Sequence, residues 1–144
     1  MIVCKYKFDS NIYSNLIPEF NSGYNGYSVS DTVDGNIVTR TIECDTLPTL
    51  MRFGQVWVSG EVQEDYTRCL LEVLEMNTSE LTNCSNMFRY WTKVTSINCN
   101  WNTSKVTTMS NMFDNCRKLT QLNTSNWDTS KVTSMYCTFY FCSN

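Results

Sequence analysis

The chain reads as a mainly β protein of the α+β class, with a β-rich N-terminal cap followed by a short solenoid. Three observations predict this. One run of sequence recurs three times within residues 76–142, at offsets of 25 and 26 residues. A unit of that length cannot bury its own apolar face and must bury it against its neighbours, which is the logic of a stacked array. Before it, residues 1 to about 60 contain no copy of the run, but carry Asp34-Gly35 between two stretches of alternating β-formers. Finally, 144 residues at 42% hydrophobic content suffice for a core and are too apolar for disorder. The expected division is a cap over residues 1–62 and a solenoid of about three coils over residues 63–144, incomplete at its C-terminal end.

Within the cap, Tyr27-Ser-Val-Ser-Asp-Thr-Val and Asn36-Ile-Val-Thr-Arg-Thr-Ile-Glu flank Asp34-Gly35, the strongest short-range signal for a hairpin. Pro48 and Gly54 bracket a short segment, and Gln55-Val-Trp-Val-Ser reads as a further strand bounded by Gly60. Residues 63–71 place Tyr66, Cys69 and Leu70 at helical spacing with charge on the other face, which predicts a short helix leading into the array. The cap's task is to cover the first coil, whose strand edges would otherwise pair with other chains.

In the repeats, Met76-Asn77-Thr78-Ser79 returns as Trp101-Asn102-Thr103-Ser104 and as Trp127-Asp128-Thr129-Ser130. Lys-Val-Thr-x-Met follows the last two, at residues 105–109 and 131–135. Met87-Phe88 answers Met112-Phe113 and Thr138-Phe139, and Cys116 answers Cys142. The runs at 118–123 and 130–135 are short and rich in β-branched residues and read as strands. Ser110-Asn-Met-Phe-Asp-Asn-Cys reads as one helical or 3₁₀ turn. Each coil is therefore expected to hold strand, Asn/Asp corner, strand and short helix. The Asn or Asp before Thr-Ser suits a corner because its side chain can cap the backbone two residues on. Val106 and Val132 are expected on adjacent strands, in register and both buried, with Trp101 and Trp127 in a common core slot.

At these residues the chain resembles the BspA-like leucine-rich-repeat surface proteins, whose unit reads L-x-x-L-x-x-S-N-W/F-D-T-S-K-V-T-x-M-x-x-M-F-x-x-C. The third copy, residues 119–142, follows that pattern closely. The second, residues 97–116, is one residue shorter before Trp101, and the first has Glu80-Leu81 for Lys-Val and Trp91 where Cys is expected. The resemblance covers about half the chain. It implies a leucine-rich-repeat-like solenoid of surface and adhesion proteins, some encoded near phage tail genes, and it implies no chemistry.

Composition points the same way. A net charge of −3 with 11 scattered basic residues offers no phosphate-binding face. With no histidine, mechanisms built on Ser-His-Asp, Cys-His or a His-bound metal are excluded for a single chain. Glu61, Glu64, Asp65, Glu72, Glu75 and Glu80 leave a paired-carboxylate hydrolase open, although such a run is more often a solvated helix face. Asp31-x-x-Asp34-Gly35-Asn36 lacks the alternating acids of a calcium loop, and no Cys-x-x-Cys supports zinc. The eight cysteines read as buried free thiols, because two of them occupy equivalent places in successive copies. Only four apolar residues precede Lys5, too few for a signal-peptide core. The expectation is synthesis in the cytoplasm with release by lysis, as for a virion component.

The function these features predict is non-enzymatic: a surface-displayed adhesion or receptor-binding module on a virion or bacterial surface, without cofactor, metal or catalytic residue. A structural tail or decoration protein and a carbohydrate-active enzyme are the alternatives. The expected binding residues are Asn102, Lys105, Asp128 and Lys131, beside the tryptophan slot. Tyr140 and Phe141 are expected to make an edge contact at the C-terminal end. The expected partner is a protein or glycan on a host or neighbouring virion surface, with a homo-oligomer or a longer repeat array as a further possibility. Neither nucleic acid nor membrane insertion is expected.

Overall fold

A computed structural model describes residues 2–10, 20–21, 27–45, 47, 52–53, 57–58, 61–62, 70–99 and 101–144. Its strands are β1 (Ile2–Asp9), β2 (Phe20–Asn21), β3 (Tyr27–Asp34), β4 (Ile37–Cys44), β5 (Arg52–Phe53), β6 (Trp57–Val58), β7 (Glu61–Val62), β8 (Leu70–Met76), β9 (Ser96–Ile97) and β10 (Gln121–Leu122). Six of them form one mixed sheet in the order β10-β9-β8-β1-β4-β3, while β2–β5 and β6–β7 make two short antiparallel pairs. The protein is thus mainly β, and no helix occurs among the described residues.

The β3–β4 hairpin forms where Asp34-Gly35 predicts it. Asp34 pairs with Ile37, and Gly35 takes the left-handed φ of 60° that a two-residue hairpin turn needs. Cys4, Tyr6 and Phe8 of β1 alternate into the core opposite Val38, Ile42 and Cys44 of β4. Arg40 shares that inward side. Its guanidinium donates to both Asp31 carboxylate oxygens at 2.8 and 2.6 Å and lies 5.4 Å over the Phe8 ring, so the charge is compensated where it leaves water.

β8 joins the cap to the repeats. On one edge it pairs antiparallel with β1, and on the other parallel with β9, which pairs parallel with β10. The helix expected over residues 63–71 does not end as predicted, since Leu70 and Leu71 open strand β8 and residues 63–69 lie outside the described set. From Leu70 onward, pairing on both edges of β8 decides the structure. One apolar core runs unbroken from Cys4 in the cap to Leu119 in the repeats.

Two further expectations are corrected. The second strand of each coil shrinks to a single bridging residue, Asn83 to Thr108 to Ser134, all parallel. The short helix is replaced by overlapping turns. Met112, Asp114 and Cys116 donate to the carbonyls three residues back, of Met109, Asn111 and Phe113, while Asn111 and Asn115 sit at φ 55° and 62°. Left-handed residues at every fourth position stop a helix from propagating and turn alternate N–H groups toward the next repeat. Asn86 and Tyr90 do the same in the first repeat, and Cys137 and Phe141 in the third.

Inside the turns the phenylalanines form a column. Phe88, Phe113 and Phe139 stack at 5.5 and 5.4 Å with ring planes within 8° and 7°, and Trp101 stands edge-on to Trp127 at 5.8 Å. Val106 is fully buried as expected, but neither valine lies in a strand, and Val132 is only half-buried at the edge of the core.

Candidate functional site: exposed rows of the stacked repeats

The repeat corner is built from local hydrogen bonds. Asn77, Asn102 and Asp128 each accept, through Oδ1, the amide two residues on, from Ser79, Ser104 and Ser130 at 3.2, 3.2 and 2.9 Å. The threonine that follows ties one repeat to the next. Thr78 Oγ1 accepts the Asn102 amide at 2.7 Å, and Thr103 Oγ1 accepts the Asp128 amide at 2.7 Å while donating to the Asp128 carbonyl at 2.9 Å. Further round, Ser110 Oγ lies 2.7 Å from Ser134 Oγ and 3.2 Å from Thr108 Oγ1, which reaches Ser85 Oγ at 3.0 Å.

Because each bond repeats with the sequence offset, side chains at equivalent positions fall into rows. Asn77, Asn102 and Asp128 make one, and Glu80, Lys105 and Lys131 the next. Lys105 Nζ donates to both Glu80 oxygens at 2.9 and 2.8 Å. Hydrogen bonds from Ser130, with the charge of Lys131 nearby, hold the Asp128 carboxyl below its usual range. The structure therefore brings Asn102, Lys105, Asp128 and Lys131 together on one exposed, polar flank. Asn102 Oδ1 and the Lys105 ammonium are engaged within the chain, whereas Lys131 has no ion pair among the described residues. Tyr140 and Phe141 lie elsewhere, on the turn arm of the third repeat, with ring centroids 4.2 Å apart and both rings more than half exposed.

A second inter-repeat ion pair escaped sequence reasoning. Arg89 Nε donates to Asp114 Oδ2 at 2.8 Å, and Asn115 Nδ2 donates to Asp114 Oδ1 at 2.9 Å, which satisfies a buried carboxylate. The signal was available, since Arg89 and Asp114 are opposite charges one repeat apart. Also unpredicted is an open depression of about 570 Å³ lined by Ile2, Leu74, Glu75, Met76, Asn77, Asn98 and Cys99, where the corner meets the sheet.

The described members of the acidic run do not lie on a helix face. Glu72 and Glu75 lie on β8 and Glu61 on β7, while Glu64 and Asp65 are outside the described residues. Glu72 accepts from Lys7 at 3.3 Å, and Glu80 from Lys105. Among the described residues no three His, Cys, Asp or Glu side chains converge to hold a metal. The seven described cysteines are free thiols, five of them buried; Cys69 lies outside the described set. Cys116 Sγ donates to the Phe88 carbonyl at 3.1 Å, and Cys142 Sγ to that of Phe113 at 3.0 Å. Burial pushes the Cys84 and Cys99 thiols up to about 12, which leaves them protonated and unreactive at neutral pH.

The corner bonds and the aromatic column recur at the sequence offset in a mainly β protein built on one open mixed sheet. The chain belongs to the family described as Mycoplasma protein of unknown function, DUF285, whose model matches residues 61–144. That family is related to BspA-like repeat proteins. No curated protein and no solved structure matches the chain.

Proposed function

We propose that the chain is a non-enzymatic interaction module, a short leucine-rich-repeat-like solenoid of BspA-like type displayed on a virion or bacterial surface. It binds a protein or glycan along the flank formed by Asn102, Lys105, Asp128 and Lys131. The observation that carries this reading is the pair of straight rows. The core of each repeat is spent on packing, and the polar side chains left outside recur at a fixed spacing set by hydrogen-bonded stacking. A repeating ligand, or an extended segment laid across the repeats, meets the same groups in successive registers. The relation of the family to BspA-like repeat proteins supports surface display.

The test is a glycan array combined with capture on intact cells or virions, repeated with Lys105→Glu/Lys131→Glu, and with hydrolysis of any bound glycan followed in parallel. Binding by the native chain and its loss in the double variant, with cooperative thermal unfolding retained, is the expected result. Binding unaffected by the double variant would place the working surface elsewhere, and turnover of a bound glycan would make the protein an enzyme.

A further inference from the structure

Strand β3 forms one edge of the six-stranded sheet, and every residue from Ser28 to Asp34 is exposed. The hairpin decides which of its backbone groups are left over. Asp34 and Ile37 close the two-residue turn as a hydrogen-bonded pair, and along an antiparallel ladder such pairs alternate with pairs that exchange no bond. Ser30 and Thr32 therefore turn their N–H and C=O groups toward β4, opposite Thr41 and Thr39. Those of Val29, Asp31 and Val33, opposite Ile42, Arg40 and Val38, point out of the sheet. Among the described residues nothing pairs with them. The side chains of these three residues share the face of Val38, Arg40 and Ile42, yet Val29 is 44% and Val33 70% exposed. The edge thus carries unpaired backbone and uncovered apolar surface at the same positions.

We propose that β3 is a self-association strand, along which two copies of this chain pair antiparallel about a two-fold axis at Asp31. What selects a second copy is the symmetry of the strand. Val29-Ser-Asp-Thr-Val33 reads nearly the same in both directions from Asp31. An axis at Asp31 sets Val29 of each copy against Val33 of the other and Ser30 against Thr32, so that apolar meets apolar on one face and hydroxyl meets hydroxyl on the opposite face. It also brings the outward groups of Val29, Asp31 and Val33 into hydrogen-bonded pairs, each residue donating once and accepting once. The two Asp31 carboxylates meet at the axis, but each is already held by its own Arg40 at 2.8 and 2.6 Å, so two compensated pairs approach rather than two bare charges. A register shifted by two residues sets Val29 against Asp31 and loses the match. A strand of unrelated sequence satisfies the backbone equally well, but gives no reason for the symmetry about Asp31. The edge belongs to the cap, lies apart from the rows of the repeats and does not depend on what they bind.

The test is self-association of the 144-residue chain, followed by sedimentation and by amide shifts of ¹⁵N-labelled protein from micromolar to millimolar concentration. The expected result is a monomer–dimer equilibrium in which the amides of Val29, Asp31 and Val33 move with concentration more than those of Ser30 and Thr32. Val33→Lys and Val29→Glu, both at exposed positions, should each weaken association about tenfold, since each sets a charge against valine at two places in the dimer. An equimolar mixture of the two variants should recover it, because the new ammonium then faces the new carboxylate while valine still faces valine at the other end. That recovery also shows that both variants fold. A chain that stays monomeric, a dimer in which the β3 amides do not move, or a mixture that associates no more tightly than either variant alone would each overturn the proposal.

Discussion

Thr103 is the clearest case of one side chain holding two repeats. It is 1% exposed and both accepts from and donates to the backbone of Asp128. Valine fills the same volume but leaves a partly buried amide and carbonyl without partners, at a cost of about 1–3 kcal/mol. Thr129→Val, at the exposed equivalent position, should change stability by less than about 0.5 kcal/mol. Urea unfolding of the two variants checks this, and equal effects would mean that the bond to Asp128 carries no stability. The thiols make a second residue-scale prediction. Cys84 and Cys99 titrate near 12 in the folded chain against an ordinary value of 9.0. Below pH 9 folded and unfolded thiols both keep their protons, and this contribution to stability is complete. Between about 9 and about 12 only the unfolded thiol ionises, so stability falls, by up to about 1.4 kcal/mol per pH unit for each thiol. Cys99→Ala should make the alkaline fall in the urea midpoint shallower, whereas an unchanged slope would show the thiol to be solvated.

The turn arm is the element where sequence and structure part company. Met112, Phe113 and Cys116 have helical spacing, and that pattern alone predicts a helical turn. The contrary signal lay in Asn86, Asn111 and Asn115. Asparagine tolerates left-handed backbone, and its recurrence one repeat apart marks a conformation rather than a helix. The third repeat departs from this chemistry, because Cys137 at φ 52° and Phe141 at φ 54° hold the same conformation without an asparagine. Cys137→Asn should stabilise the chain by about 0.5–1 kcal/mol and raise Tm by a few degrees in calorimetry. A lower Tm would show that Cys137 is retained for packing. The expected strand at 130–135 failed for a different reason. Its β-branched residues pack inward at Val132, but the Val132 amide turns back to Thr129, and only the Thr133 amide, donated to Thr107, and the Ser134 bridge join it to the second repeat.

At the scale of the whole molecule, the hairpin and the register of the repeats were legible because each rests on a local or periodic signal: Asp34-Gly35 for the one, offsets of 25 and 26 for the other. The junction was not legible. Nothing in Leu70-Leu-Glu-Val-Leu-Glu-Met76 announces that β1, more than sixty residues earlier, will pair with it and carry one sheet from antiparallel cap into parallel repeats. The same register that builds the Phe88, Phe113 and Phe139 column also sets the rows of Asn102, Lys105, Asp128 and Lys131, so the proposed binding flank stands or falls with it. Through-hydrogen-bond scalar couplings measure that register directly. Stacked turn arms predict couplings from the Phe88 amide nitrogen to the Met112 carbonyl carbon and from the Phe113 nitrogen to that of Thr138, across bonds of 2.8 and 2.9 Å. Couplings from Phe88 and Phe113 to carbonyls three or four residues back in their own repeats would mean helical arms, and would contradict the stacking on which the rows depend.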